Sequence, residues 1–283
     1  MQQRFFIMPD GTRIFTEFAA QSDPKRENLL FIHGGPGSGA WEFSPVAEIL
    51  AQDFNIWLPD QRGCLRSDPI PAETNFGLQT ILDDLDNIRQ QLQISQWIVL
   101  GHSYGGQLAL AYALQNPQAV SQIVFICPSF YLLWSLEQVY RKCQDLLLQD
   151  SRTSAQTAPE YLQLLAQIPE SVRRDAYYES NWQLHPTYPD FPASAQGQRQ
   201  QDLLFAEGKA FENWLPYLKK LSVPALLLNG AYDPICESRQ QEIFLQANPQ
   251  NKLWIIPEAG HSPYNDQPEL FCKLLKQFIR GEK

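Results

Sequence analysis

The sequence WIVLGHSYGG, residues 97–106, decides the fold of this chain. Its first four residues form an apolar run, which is typical of a strand buried on both faces of a sheet. The run leads directly into Gly101–Gly105, and a helical pattern follows that ends before Asn116-Pro117. The pattern G-x-S-x-G between a buried strand and a helix is typical of a sharp turn that lifts a serine hydroxyl clear of the sheet. The context therefore favours a nucleophilic Ser103 over a plain tight turn.

Seven further segments have the composition of strands, and helical patterns separate most of them. The predicted strands are Arg4–Met8, Arg13–Ala19, Leu29–Ile32, Phe54–Leu58, Val120–Cys127, Ala225–Leu228 and Lys252–Ile256. The first two flank the turn Pro9-Asp10-Gly11, which indicates a hairpin. The others alternate with helical patterns such as Leu78–Leu92, and this alternation is typical of an α/β fold with a mostly parallel sheet covered by helices.

The alternation stops between about Pro128 and Pro216. This stretch contains helical patterns, such as Leu132–Leu148 and Glu160–Ile168, but no convincing buried strand. We therefore predict one core made of residues 1–128 and 217–283, with residues 129–216 inserted as a helical cap. Loops that follow the carboxyl ends of parallel strands form the ligand crevice, so a cap inserted there would cover it.

Composition narrows the possible partners. The formal net charge is −9, from 22 basic and 31 acidic residues, so nothing attracts the chain to nucleic acid or to an anionic membrane. No segment reaches the roughly 20 apolar residues of a membrane span, and the N-terminus does not resemble a signal peptide. We expect a cytoplasmic protein that acts on a small molecule or a short peptide, and the sequence leaves its oligomeric state open.

The cysteines are five in number, scattered, and contain no C-x-x-C pair. They are Cys64, Cys127, Cys143, Cys236 and Cys272. This spacing predicts neither a disulfide framework nor a zinc motif, and we expect reduced thiols and no metal or cofactor. Cys64 lies near the predicted site but has no dedicated base, so a cysteine nucleophile is not favoured.

A serine hydroxyl is a weak nucleophile unless a base lies beside it. His261 follows the last predicted strand, and Asp233 follows the strand Ala225–Leu228. An acid in that position can accept the Nδ1–H of the histidine and fix its tautomer. The chain order Ser103, Asp233, His261 and the placement of each residue beyond a strand end predict a catalytic triad.

Rival assignments are weighed against this triad. His33 is expected to hydrogen-bond within its own glycine loop, and His102 is expected to point away from the serine. His185 is interpreted as a structural or surface residue of the cap. Asp84 and Asp266 are the alternative acids, but neither follows a strand.

The tetrahedral intermediate of such a reaction needs backbone donors. The loop His33–Gly37 is rich in glycine and follows a buried strand, so its main chain can approach a ligand closely. We predict an oxyanion hole made by the N–H groups of Gly35 and Tyr104, since Pro36 has no N–H to give. The charged segment Asp60–Ser67 is interpreted as a brace for loops near the site.

These motifs resemble the proline iminopeptidases, cytosolic serine exopeptidases with the α/β-hydrolase fold. The resemblance is carried by His-Gly-Gly-Pro-Gly at 33–37, Asp-Gln-Arg-Gly-Cys at 60–64, the elbow at 101–106 and Gly-x-Tyr-Asp at 230–233. It implies a cap whose glutamates hold the free amino group of the substrate, and an apolar pocket for the proline ring. The candidates in the cap are Glu179, Glu207 and Glu212 for the amine, and Trp182, Trp214 or Tyr178 for the pocket.

The sequence departs from that family in two places. Leu65 stands where the family usually has glycine, and the elbow reads Gly-His-Ser-Tyr where Gly-Gly-Ser-Trp is common. The form found here is widespread among esterases. We therefore predict a serine hydrolase that forms an acyl-enzyme. The preferred hypothesis is an aminopeptidase that releases N-terminal proline or a small residue from short peptides. A carboxylesterase is the alternative, and a non-catalytic ligand receptor on the same fold is the third.

Overall fold

The computed structural model of the chain describes residues 1–20, 25–148, 154–179 and 194–282. One eight-stranded sheet runs through the centre of the molecule. Its strands are β1 (Gln2–Ile7), β2 (Arg13–Ala19), β3 (Asn28–Ile32), β4 (Asn55–Pro59), β5 (Trp97–His102), β6 (Val120–Ile126), β7 (Ala225–Gly230) and β8 (Lys252–Ile256). All eight strands predicted from the sequence are present, which confirms the predicted fold class.

Ten α-helices surround this sheet in the described residues. They are α1 (Ser44–Leu50), α2 (Leu78–Gln91), α3 (Gly105–Gln115), α4 (Leu132–Leu146), α5 (Ala158–Ala166), α6 (Glu170–Tyr178), α7 (Ser194–Glu207), α8 (Ser238–Ala247), α9 (Pro263–Asp266) and α10 (Pro268–Ile279). Short 3-10 turns occupy Ala40–Phe43, Lys209–Phe211 and Leu215–Lys220. None of the described helices is long and apolar enough to span a membrane.

The strands lie in the order β1-β2-β4-β3-β5-β6-β7-β8. β1 and β2 form an antiparallel hairpin, β2 pairs antiparallel with β4, and the remaining neighbours are parallel. The central strands are buried along their length because helices cover both faces. Alternate side chains therefore enter two cores, as Leu30 and Ile32 pack on one side of the sheet and Leu29 and Phe31 on the other.

The described residues between β6 and β7 are helical. A third apolar cluster joins α4, α5 and α6, and it includes Val139, Tyr161 and Leu165. The segment begins at the carboxyl end of β6, which is the edge of the sheet where ligands bind in open α/β folds. Helices α6 and α7 were not predicted, because their sequences do not repeat apolar residues at helical spacing over enough turns to be recognised.

Candidate active site

Ser103 lies at the turn between β5 and α3, in the conformation that a nucleophilic elbow requires. Its φ angle is +56°, in the left-handed region that a non-glycine residue adopts only under constraint. Its N–H donates to the carbonyl of Ile126 at 3.0 Å, and its own carbonyl accepts from Gly106 N at 2.9 Å. A Cβ at Gly105 would lie 2.7 Å from the carbonyl oxygen of His33. Small residues beside the serine are therefore needed because other backbone segments press against the turn.

The glycine loop after β3 is in direct contact with this turn. A Cβ at Gly34 would lie 2.7 Å from Cβ of Ser103 and 3.0 Å from the carbonyl oxygen of His102, so only glycine fits there. The ring of His33 holds the loop: its Nδ1 lies 3.0 Å from Gly34 O, and its Nε2 accepts from Gln61 N at 3.0 Å. Burial lowers the pKa of His33, so the ring is neutral, as its predicted structural role requires.

The imidazole of His261 forms a hydrogen bond with the carboxylate of Asp233. The distance from Nδ1 to Oδ1 is 2.7 Å, and the side chains are 6% and 0% exposed. The carboxylate also accepts from Ile235 N at 3.2 Å and Cys236 N at 2.9 Å, so both of its oxygens are fixed. Because Nδ1 donates to Asp233, Nε2 is the ring nitrogen left to take up a proton.

Ser103 and His261 line the same cavity, although they lie far apart in the sequence. The cavity has a volume of about 210 Å³, and Gly35 lies on its wall. The other residues that line it are Phe31, His33, Gly34, Ser38, Gly39, Glu42, His102, Tyr177, Tyr178 and Tyr264. Within the described part of the chain, the N–H groups of Gly35 and Tyr104 donate no hydrogen bond, which leaves both free to bind an oxyanion.

The ring of His102 contacts the loop that carries His261, and the prediction that it points away from the serine stays a prediction. Its ring lines the cavity, 4.8 Å from the ring of His261 between centroids. Its Nε2 lies 2.8 Å from the backbone carbonyl of His261, and a carbonyl can only accept, so Nε2 carries a proton. His102 therefore holds the loop that carries the imidazole.

The rival acids have other partners. Asp84 forms an ion pair with Arg62 at 2.8 Å, and Asp266 accepts from Gly260 N at 2.8 Å. Asp266 thus holds the loop that carries His261. The segment Asp60–Ser67 contacts the loop after the glycine motif, since Asp60 accepts from Ala40 N at 2.9 Å and pairs with Arg66 at 2.6 Å. His185 lies outside the described residues.

The three cap glutamates proposed as amine ligands do not line the cavity. Glu207 accepts from Leu78 N at 2.9 Å, where its charge complements the amino-terminal end of α2. Glu179 pairs with Lys142 at 2.5 Å, and Glu212 pairs with its neighbour Lys209 at 2.6 Å. Each of the three carboxylates thus has another partner in the structure, and their role as amine ligands stays a prediction.

Aromatic residues of the predicted cap segment line the cavity, but not all of those named from the sequence do so. Tyr178 lines it as predicted, and its neighbour Tyr177 joins it there. The carbonyl of Tyr177 accepts from His261 N at 2.9 Å, so the end of α6 holds the histidine loop. Trp214 is buried elsewhere, with its indole N–H on Lys209 O at 3.1 Å. Trp182 lies outside the described residues.

Two polar residues at or beside the site, Glu42 and Gln200, were not predicted from the sequence. Glu42, in the 3-10 turn after the glycine loop, is the one carboxylate among the described residues that line the cavity, and Tyr264 donates to it at 3.3 Å. Gln200 of α7 accepts from Gly37 N at 2.8 Å and donates to Arg62 O at 3.0 Å. Only the proximity of Glu42 to the glycine motif could have drawn attention to it, and Gln200 sits in a polar run without any pattern.

Comparison with known proteins places the chain in a family. A family model described as "alpha/beta hydrolase fold" matches residues 27–268, and the chain belongs to that family. Among curated relatives, the proline iminopeptidase of Xylella fastidiosa is 28% identical over 285 residues, covering 91% of this chain and 90% of the relative. The resemblance to proline iminopeptidases inferred from the motifs is thereby confirmed.

Solved structures agree on the fold. A proline iminopeptidase-related protein from Thermus thermophilus aligns with a TM-score of 0.78 at 19% identity, covering 98% of this chain and 97% of that one. A thermophilic esterase from Thermogutta terrifontis aligns with a TM-score of 0.67 at 20% identity, covering 99% of each chain. At these identities the similarity shows a shared fold only. The proteins that share it include one related to proline iminopeptidase and one esterase.

Proposed function

We propose that this α/β hydrolase is a serine hydrolase that works through an acyl-enzyme, and that its substrate is a short peptide with N-terminal proline or a small residue. The observation that carries the proposal is the site itself. A strained Ser103 and a His261 bonded to buried Asp233 line one cavity. A histidine held by a buried carboxylate can serve as the base that makes a nearby alcohol nucleophilic, and this is the role proposed for His261.

The proposed reaction follows from these positions. Ser103 Oγ attacks the substrate carbonyl while His261 Nε2 takes its proton, and Asp233 stabilises the imidazolium that forms. The N–H groups of Gly35 and Tyr104 bind the negative oxygen of the tetrahedral intermediate. The imidazolium then gives the proton to the leaving amine or alcohol, and the remaining acyl group is an ester of Ser103. Water, deprotonated by the same histidine, releases the product.

Three observations support an aminopeptidase. Curated relatives from Heyndrickxia coagulans and Xylella fastidiosa that align with about 90% of this chain are named proline iminopeptidases. The cavity of about 210 Å³ is smaller than the roughly 300–1,000 Å³ of sites for drug-sized ligands, which suits a short acyl group. The carboxylate of Glu42 lies on the wall of that cavity. An aminopeptidase substrate carries its ammonium group one carbon from the scissile carbonyl, so a carboxylate must lie close to the nucleophile.

A panel of chromogenic substrates tests this proposal. Proline and alanine arylamides with a free amino group are compared with their N-acetylated forms and with short acyl esters, at equal leaving-group chemistry where possible. We expect the free-amino arylamides to have the highest kcat/KM among the amides, and acetylation to abolish their cleavage. Cleavage of esters alone would replace the aminopeptidase by a carboxylesterase, which is the second candidate because a solved esterase shares the fold.

Substitution of Glu42→Gln tests the source of amine recognition. We expect kcat/KM for the proline arylamide to fall about 10- to 100-fold, because a charge-assisted hydrogen bond contributes about 1.5–3 kcal/mol. Hydrolysis of a neutral ester is expected to change far less, so the ratio of the two rates is the measurement.

The matched control for this substitution is Glu179→Gln, which removes a carboxylate of the cap that pairs with Lys142 outside the cavity. If kcat/KM for the free-amino substrate falls as strongly in that variant as in Glu42→Gln, the amine is recognised by the cap and Glu42 is not its ligand.

The cytoplasmic location expected from the sequence stays a prediction.

A further inference from the structure

We propose that the buried side chains of Cys127, Asp233 and His261 form an inhibitory binding site for Zn²⁺. One ligand atom from each residue lies within 4.8 Å of the other two, and all three residues are buried. They come from the carboxyl ends of β6, β7 and β8, three strands that neighbour each other in the sheet. The spacing of the cysteines along the sequence predicts no zinc motif, because the three ligands meet only after folding.

The thiol of Cys127 is held in this position by the backbone. Its φ angle is +43°, its Sγ lies 3.7 Å from Gly260 O, and it accepts from Gly230 N at 3.4 Å. Gly260 directly precedes His261 in the chain. The sulfur therefore lies beside the loops that carry both the imidazole and the carboxylate, and the proposed catalytic reaction makes no use of it.

The chemistry of this donor set suits zinc. Thiolate, imidazole and carboxylate bind Zn²⁺ at about 2.0–2.3 Å, and ligand atoms around a tetrahedral zinc are therefore about 3.5 Å apart. To reach that spacing, Asp233 Oδ1 and His261 Nδ1, now 2.7 Å apart, must separate by roughly 1 Å, and the longest of the three distances, at most 4.8 Å, must shorten by roughly 1 Å. A fourth position is left for water. A thiolate ligand also favours zinc over Mg²⁺ and Ca²⁺, which prefer oxygen.

Charge neutrality favours the complex in a buried place. Binding releases one proton to water, from the thiol of Cys127, while the proton of His261 moves from Nδ1 to Nε2. The two positive charges of the ion are then balanced by one thiolate and one carboxylate, while the imidazole stays neutral. The product has no net charge, so the cost of burying an uncompensated ion is avoided.

Zinc in this position stops the proposed reaction without reaching Ser103. A neutral imidazole with a metal on Nδ1 must carry its proton on Nε2. That is the tautomer in which Nε2 cannot accept the proton of the serine hydroxyl. The inhibition thus rests on the proposed serine hydrolase mechanism, whereas the binding of zinc does not.

Metal content and serine reactivity are measured separately to test the inference. Wild type, Cys127→Ser and the control Cys272→Ser are equilibrated with Zn²⁺, gel-filtered and analysed for bound metal. Cys272 is a second buried free thiol, located in α10. We expect one tightly bound zinc per chain in wild type and in Cys272→Ser. In Cys127→Ser the affinity for Zn²⁺ should fall by more than 100-fold. Loss of a residue that only hydrogen-bonds a metal ligand costs roughly 10- to 100-fold, and Cys127 is proposed as a ligand itself.

Reactivity of Ser103 is followed by the rate of labelling with a fluorophosphonate. We expect Zn²⁺ to slow labelling of wild type, EDTA to restore it, and Mg²⁺ to have no effect. A wild type that is labelled at full rate with zinc present, or zinc binding that is unchanged in Cys127→Ser, would overturn the inference. A metal-free wild type that is not labelled at all would instead contradict the proposed function.

A spectroscopic measurement on wild type guards against a variant that does not fold. Co²⁺ is substituted for Zn²⁺, and a thiolate-to-cobalt charge-transfer band is sought. The band is expected if Cys127 is a ligand. Its absence in a protein that binds one cobalt per chain would show that the metal lies elsewhere.

Discussion

Ser103→Ala should nearly abolish turnover, with kcat falling by about 10⁶-fold. The low rate that remains would come from substrate binding and the oxyanion hole. The reason is chemical: alanine has no oxygen with which to form the acyl-enzyme. The fold should persist, because the turn is fixed by its backbone hydrogen bonds to Ile126 and Gly106 and not by the hydroxyl. The measurements are kcat on the preferred substrate and stoichiometric labelling by a fluorophosphonate, which we expect in wild type and not in the variant.

The control for this prediction is Ser121→Ala. Ser121 is an exposed serine at the opposite end of the sheet, near the start of β6, and its loss should leave turnover and labelling unchanged. Labelling of the Ser103→Ala variant would mean that another residue is the nucleophile. Labelling of wild type without turnover of any ester or arylamide would favour the third candidate, a ligand receptor that retains the triad.

Asp233→Asn should have the second largest effect, a loss in kcat of about 10⁴-fold. The oxygens of Asp233 face three N–H donors, from His261, Ile235 and Cys236. Either orientation of an asparagine amide therefore directs its NH₂ group at a donor. If that group faces the ring, the imidazole takes the tautomer with its proton on Nε2 and cannot act as a base.

The comparison variant is Asp266→Asn, which alters the rival acid. Asp266 accepts from Gly260 N, and an asparagine oxygen can still accept there, so we expect a loss within about tenfold. Rates on one substrate, with thermal unfolding of both variants as a check on folding, decide between the acids. An equal or greater loss in Asp266→Asn would remove Asp233 from the proposed triad.

The strand pattern and the chemical identity of the site are largely local properties of the sequence. Apolar runs predicted the central strands, because a buried strand needs apolar side chains on both faces, and the turn Pro9-Asp10-Gly11 predicted the hairpin of β1 and β2. Ser103, Asp233 and His261 could be selected since each follows such a strand, and parallel strands end at one edge of the sheet. The glycine loop was recognisable for a similar reason, as a backbone that must pass close to Ser103 leaves no room for a Cβ.

What surrounds these residues was decided only by the tertiary structure. Glu207 and Glu42 are both glutamates in sequence without a distinctive motif, yet one stabilises the start of α2 and the other faces the cavity. Cys127 comes next to Asp233 and His261 only because β6, β7 and β8 are neighbours. A short-range pattern reports how a segment is buried, because burial repeats with the geometry of a helix or strand. It does not report which distant side chain meets which, because that depends on how the whole chain packs.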